Sequence, residues 1–239
     1  MQILHVEGLT KYFGGLAAVA GVDLQVDKGE ILGLIGPNGA GKTTLFNLIS
    51  GTYVPNAGKI FFDGTKISGM KPNAICRKGL VRTFQSCRIF PEMTVFQNVL
   101  LGALFGAPET KTWHQAAAET KEILDFVGLS EFSDARAVSL TLANQKRVEL
   151  ARALATKPRM LLLDEMMAGL NPTEVGEAME LVTQIREKGI TIVMIEHVMK
   201  AIMNICNRII VLHRGQIIAE GTPAEVSTDK TVIEVYLGE

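Results

Sequence analysis

Two groups of residues have the types and spacing to do chemistry. The first is the run Gly36-Pro37-Asn38-Gly39-Ala40-Gly41-Lys42-Thr43, with Thr44 directly after it. It fills every fixed position of the phosphate-binding pattern G-x-x-x-x-G-K-[ST]. Glycines in such a loop let backbone N–H groups turn inward around phosphate oxygens. A helix starting at its end aims a positive dipole end at the same anion. Lys42 can reach β- and γ-phosphates, and the Thr43 hydroxyl can ligate Mg²⁺. The second group is Asp164-Glu165, which closes the apolar run Met160-Leu161-Leu162-Leu163. A carboxylate ending a buried strand beside a phosphate loop is placed to hold Mg²⁺ through its waters, the role read for Asp164. The next residue along a strand points elsewhere, so Glu165 can orient or deprotonate an attacking water.

These groups need elements to position them. The apolar run Ile31 to Ile35 leads into the loop as a strand, and Thr44 to Ile49 reads as the helix beyond it. The segments Met1 to Glu7 and Val22 to Val26 alternate like half-buried strands, and Gly58 to Gly64 predicts a short strand bounded by glycines. Trp113, Ala116, Ala117, Thr120, Ile123, Leu124 and Val127 then recur at helical spacing, with Gly128 as the stop. The segment between Gly102 and Thr112 is expected to be a loop. Val148, Ala151, Leu154 and Ala155 share one side of a further helix, which Pro158 ends. Beyond Met160, strands and helices alternate. Asn171-Pro172-Thr173-Glu174 is a helix start with a cap and a reaching-back glutamate, and Gly189 is the expected stop. Ile190 to Ile195 is a second buried strand. Arg208 to His213 and Gln216 to Glu220 form a hairpin about Arg214-Gly215, and Thr222-Pro223-Ala224-Glu225 opens one last helix. This order predicts a largely parallel sheet covered on both faces.

Composition narrows the class. The chain has 239 residues with 47% hydrophobic content, enough for one large α/β domain. A net charge of -1 offers no electrostatic reason to expect nucleic acid. No apolar run approaches the length of a membrane-spanning helix, and the N-terminus does not read as a signal peptide. Cys76, Cys87 and Cys206 are odd in number and far apart, the pattern of free thiols in a reducing cytoplasm. His5, His114, His197 and His213 have no metal-ligand spacing with each other or with the cysteines, so no zinc site is expected.

With both groups in order along nearly its whole length, the chain resembles the ATP-binding-cassette (ABC) ATPases. The resemblance implies an α/β fold: a P-loop NTPase (RecA-like) core with an N-terminal antiparallel β subdomain and a helical subdomain. A single domain, 1–239, is expected, with core and β parts at 1–85 and 151–239 and the helical part at 86–150. It implies ATP as substrate with Mg²⁺. Phe13, in Lys11-Tyr12-Phe13-Gly14, then matches the aromatic that stacks on adenine, with Tyr12 as the alternative. Gln85, in Arg82-Thr83-Phe84-Gln85, matches the glutamine that senses Mg²⁺ and water and links to the membrane partner. Ala168-Gly169-Leu170-Asn171 resembles the loop that crosses a dimer interface, and His197 the switch histidine that contacts the γ-phosphate. Leu140-Thr141-Leu142-Ala143-Asn144-Gln145 stands where the family has Leu-Ser-x-Gly-Gln, which closes over the nucleotide of the opposite subunit. Ser has become Thr141, Gly has become Ala143 and Gln has become Asn144. Thr141 keeps a hydroxyl and Ala143 keeps its N–H, but Ala143 adds a methyl where close backbone approach is wanted. The departures bear on hydrolysis rate more than on nucleotide binding.

Within the family, Phe13-Gly14-Gly15-Leu16, Arg82-Thr83-Phe84-Gln85 with Arg88 and Phe90, Met93-Thr94-Val95, Gly221-Thr222-Pro223 and Val235-Tyr236-Leu237-Gly238 resemble the branched-chain amino-acid importers, and among these the larger of their two ATPase types. The implied partners are transmembrane permease subunits and a second ATPase subunit, in a homodimer or a heterodimer. The implied location is cytoplasmic, on the inner face of the membrane through the permease. Urea and amide importers, exporters, non-transport cassettes and a regulatory cassette that no longer hydrolyses remain as alternatives.

Overall fold

The computed structural model describes residues 1–85, 87–106 and 111–237. Two long antiparallel strands, β1 (Gln2–Phe13) and β2 (Leu16–Asp27), open the chain. β3 (Ile31–Ile35) leads to the phosphate loop and α1 (Lys42–Ile49) leaves it. β4 (Ala57–Phe62) and the short β5 (Thr65–Lys66) complete an antiparallel sheet in the order β2-β1-β4-β5. After α2 (Pro72–Arg77) and β6 (Leu80–Arg82) comes a helical region: α3 (Val95–Leu101), a π-helical turn (Gly102–Gly106), α4 (Trp113–Phe126) and α5 (Leu142–Ala155). The chain then alternates through β7 (Met160–Asp164), α6 (Pro172–Glu187), β8 (Thr191–Ile195), α7 (Met199–Ile205), β9 (Arg208–His213) and β10 (Gln216–Gly221). It finishes with α8 (Pro223–Thr228) and α9 (Lys230–Leu237).

The second sheet has the order β10-β9-β3-β8-β7-β6, parallel except for the edge strand β10. Its strands are apolar at nearly every position because both faces are covered. Alternation splits each strand between two cores. Ile31, Ile35, Leu161, Leu163, Ile192, Met194, Ile209 and Val211 pack with α5 and α6. Leu32, Leu34, Met160, Leu162, Val193, Ile195, Ile210 and Leu212 pack with α1 and the antiparallel sheet. Fully burying each such side chain contributes about 1.5–3 kcal/mol, so the sheet is the rigid part of the molecule.

Register sets up the site. Leu34 pairs with Ile195, and Asp164 pairs with Ile195 on the other side of β8. The carboxyl ends of β3, β7 and β8 therefore finish level. Gly36, Glu165 and Glu196 leave the sheet side by side, at the edge where parallel α/β sheets place ligands.

Three local expectations change. The first part of the 102–112 segment, Gly102–Gly106, is a π-helical turn rather than a loop. It packs tightly on α5, where a Cβ on Gly102 would lie 2.3 Å from Arg152 O. Residues 107–110 lie outside the described residues. The boundary drawn after residue 150 falls inside α5, which runs on to Ala155. The single last helix is two, α8 and α9, divided at Asp229, whose carboxylate accepts the Val232 N–H at 3.1 Å.

Candidate functional site

The phosphate loop is shaped by what lies behind it. Gly36 has φ 149° and a Cβ there would lie 2.1 Å from Leu212 O; Gly41 has φ 107° and a Cβ would lie 2.3 Å from Ala18 O. Neither position admits a side chain, because β9 and β2 press the loop from below. Lys42 opens α1 and folds back under the loop. Its Nζ donates to Gly36 O at 2.6 Å and Pro37 O at 3.0 Å. An ammonium has three donors, so one is left for a ligand. Burial pushes the Lys42 pKa down, and the carboxylates of Glu165 and Asp164 partly offset this.

Over the loop lies an open cleft of about 560 Å³ lined by Asn38 to Thr44, Gln85, Glu165, His197, Arg214 and Leu16 to Ala18. Glu165 lies at its centre. One carboxylate oxygen accepts from Gln85 Nε2 at 2.8 Å, and the other lies 2.8 Å from His197 Nε2. Its backbone is left-handed, φ 52°, which turns the side chain out of the strand and over the loop.

Asp164 sits beneath, 1% exposed, with Oδ2 bonded to Arg82 Nη2 at 2.7 Å. Arg82 also donates to Asn47 Oδ1 at 2.6 Å, tying β6 to α1. Asp164 Oδ1 is buried with no hydrogen-bond partner among the described residues. A buried carboxylate oxygen without a donor is costly. A hard divalent cation carrying its own waters fits that oxygen, the Thr43 hydroxyl and the Gln85 amide.

The segment bearing Gln85 is anchored to α5. The N–H groups of Phe84 and Arg88 both donate to the Glu149 carboxylate at 3.3 Å. Burial pushes the Glu149 pKa up, so those two amides hold a carboxyl that would otherwise resist ionising.

Of the residues singled out in the sequence, Asn38, Gly39, Ala40, Gly41, Lys42, Thr43, Thr44, Gln85, Glu165 and His197 converge on the cleft. Gly36 and Pro37 lie behind it, as the acceptors of Lys42. Phe13 does not line it. It ends β1, 44% exposed, edge-on to Tyr53 at 5.4 Å, and Tyr12 beside it is also exposed. Thr141, Ala143 and Asn144 open α5 and do not line it either. The Thr141 hydroxyl caps the helix by accepting the Asn144 N–H. Ala143 is turned inward, only 9% exposed, while Leu142 is 47% exposed. The added methyl therefore packs into the protein, and the outward residue is Leu142. The sequence reading assigned no site role to Arg82, Lys146, Glu196 or Arg214. Arg214 and Gly215, with φ 48° and 79°, make the β9–β10 turn that leans over the loop.

A loop, lysine, hydroxyl, buried carboxylate and bonded glutamate of this kind recur in known proteins. The family model described as "ABC transporter" matches residues 19–168. The chain belongs to that family. A second model, "Branched-chain amino acid ATP-binding cassette transporter", matches residues 216–239 of the cassette, the span of β10, α8 and α9. The cassette is 43% identical to the high-affinity branched-chain amino acid transport ATP-binding protein BraF of Pseudomonas aeruginosa, with 99% of this chain and 98% of that protein covered. Among solved structures it matches the ADP conformation of the ATP-binding cassette MJ1267 with a TM-score of 0.91 at 36% identity, covering both chains fully. It also matches the cassette MJ0796, a dimer bound to ADP and Pi, with a TM-score of 0.83 at 26% identity over 92% of this chain and 99% of that one.

Proposed function

We propose that this ABC cassette is the ATP-hydrolysing motor subunit of an importer of branched-chain amino acids. The observation that carries hydrolysis is the Glu165 carboxylate, held over the phosphate loop by Gln85 and His197. The names of the relatives and the match at residues 216–239 support the transported substrate.

In this reading the N–H groups of residues 38 to 44 and the Lys42 ammonium bind the β- and γ-phosphates. Thr43, Gln85 and Asp164 would hold Mg²⁺, which when bound neutralises charge developing on the phosphate oxygens. Glu165 accepts a proton from the attacking water, and Gln85 holds both the carboxylate and that water in line. His197 supports Glu165 from the other side and can donate to a γ-phosphate oxygen. Phe13 is the candidate for adenine, reached from the end of β1. The Thr141–Asn144 segment would serve the nucleotide of a second ATPase subunit, consistent with its not lining this chain's own cleft. Gln85, tethered to α5, would meet the permease with the helical part, residues 86–150, so that site closure and membrane movement are coupled. Among the described residues no helix is long and apolar enough to cross a membrane, so attachment to its inner face would come through the permease.

Replacing Glu165 by Gln tests the base. ATP turnover of the full-length chain should fall at least ~100-fold while ATP affinity is kept, as expected for loss of a general base. Turnover equal to wild type would remove Glu165 from that role.

A further inference from the structure

Residues 165 to 168 form a turn between β7 and Gly169. Buried ionisable groups grip this turn from both sides, and the proposed hydrolytic roles use neither of them. From one side comes Lys146, inside the first turns of α5 and 8% exposed. Its Nζ donates to Glu165 O at 3.0 Å and to Ala168 O at 2.8 Å. From the other side comes Glu196, just past β8 and 2% exposed, whose Oε1 accepts the Met167 N–H at 2.8 Å. The Glu165 N–H donates to Ile195 O at 2.9 Å. A non-glycine residue at φ 52° is held there by its surroundings, and these bonds are the surroundings of Glu165.

We propose that Lys146 and Glu196 are positioning residues for the Glu165 carboxylate: together they fix the backbone turn that aims it at the cleft. Both bond to the turn's backbone, the arrangement expected of groups that set its shape. The proposal rests on reading Glu165 as the base. It also gives α5 a second task. That helix opens with Thr141 to Asn144, and Lys146 lies little more than one turn further on. A tilt of α5 moves Lys146 and with it both of its bonds to the Glu165 turn, so the helix that would face a partner's nucleotide also tunes this chain's own base.

The test compares Lys146→Met, Lys146→Arg, Glu196→Ala and Glu196→Gln with Glu165→Gln in the full-length chain, reading kcat, KM and ATP affinity. Misplacing a reacting group by about 1 Å costs roughly 100-fold. Lys146→Met and Glu196→Ala should thus lower kcat about 10- to 100-fold with KM and ATP affinity within about threefold. Lys146→Arg keeps donors and Glu196→Gln keeps the acceptor, and each should recover most of the rate. Turnover of Lys146→Met within twofold of wild type, with Glu165→Gln slow, would overturn the proposal and leave the base reading standing. Parallel loss of affinity and rate without rescue by Arg or Gln would overturn it as well. Full turnover in Glu165→Gln would overturn the base reading first.

Discussion

Glu196 has one oxygen on the Met167 N–H and the other buried without a partner among the described residues. Burial pushes its carboxyl up to about 7, against the pull of the Met167 N–H, of Lys146 from α5 and of the His197 N–H; Glu165 at the end of β7 pushes it further. Cys206, at the end of α7, is raised in turn to about 12 by burial and by Glu196. The folded-state pKa of Glu196 lies above its ordinary 4.5, so between 4.5 and about 7 the folded chain holds a proton that the unfolded chain has released. Stability from this group is complete below that window and lost as pH rises through about 7. In Glu196→Gln that loss disappears. Thermal melts of both proteins from about pH 5 to 8 should show the variant gaining on wild type as pH rises. A constant difference in Tm would reject the assignment. Spacing alone exposed Lys42, Thr43, Asp164 and Glu165. Glu196 stayed hidden although it ends an apolar strand run as Asp164 does, because its neighbour His197 claimed the position.

Helix starts were legible where a side chain supplies the cap. Asn171 accepts the N–H groups of Thr173 and Glu174, and Glu174 accepts the Asn171 N–H in return. Thr222 and Glu225 repeat the device at α8. The cap at α6 follows the Glu165 turn directly, so it fixes the far end of the segment that crosses from strand to helix. Asn171→Ala should destabilise the fold by about 1 kcal/mol, seen as a lower denaturant midpoint at unchanged m-value. An unmoved midpoint would mean that packing of Val175, Ala178 and Val182 alone sets the helix start. The π turn at Gly102–Gly106 was not legible, because its glycines read as chain breakers. They are there for contact: a Cβ on Gly106 would lie 2.4 Å from Thr156 Cγ2, and that on Gly102 closer still to Arg152 O, at 2.3 Å. Long-range contact outweighs local propensity there, and nothing within the segment records its neighbour.

At the scale of the whole molecule, apolar runs and their alternation with helices were sufficient to predict the parallel sheet, since a strand buried on both faces has no polar side to disguise it. The long β1 was seen only over its first residues. Its register shifts against β2 between Val6 and Lys11 break the alternation that reveals a strand. The cleft is open, and the Thr141–Asn144 segment does not line it, so in the proposed function a second subunit would bring such a segment over the loop. The asymmetry of a mixed dimer is the prediction at this scale. Paired with a cassette whose segment carries Ser and Gly, this chain should complete one fast site and, with its own Thr141–Asn144, one slower site. Single-turnover counting per site in the reconstituted assembly checks it, and equal rates would sink the idea. One feature of Glu165 reaches beyond the site. Its left-handed backbone costs about 1–2 kcal/mol in any residue with a Cβ, a sizeable part of the 5–15 kcal/mol that separates folded from unfolded chains. Glycine would accept the conformation freely, yet glycine has no carboxylate. With Glu165 as the proposed base, backbone and chemistry ask for different residues at position 165: the φ of 52° suits glycine, and the proposed proton transfer needs a carboxylate.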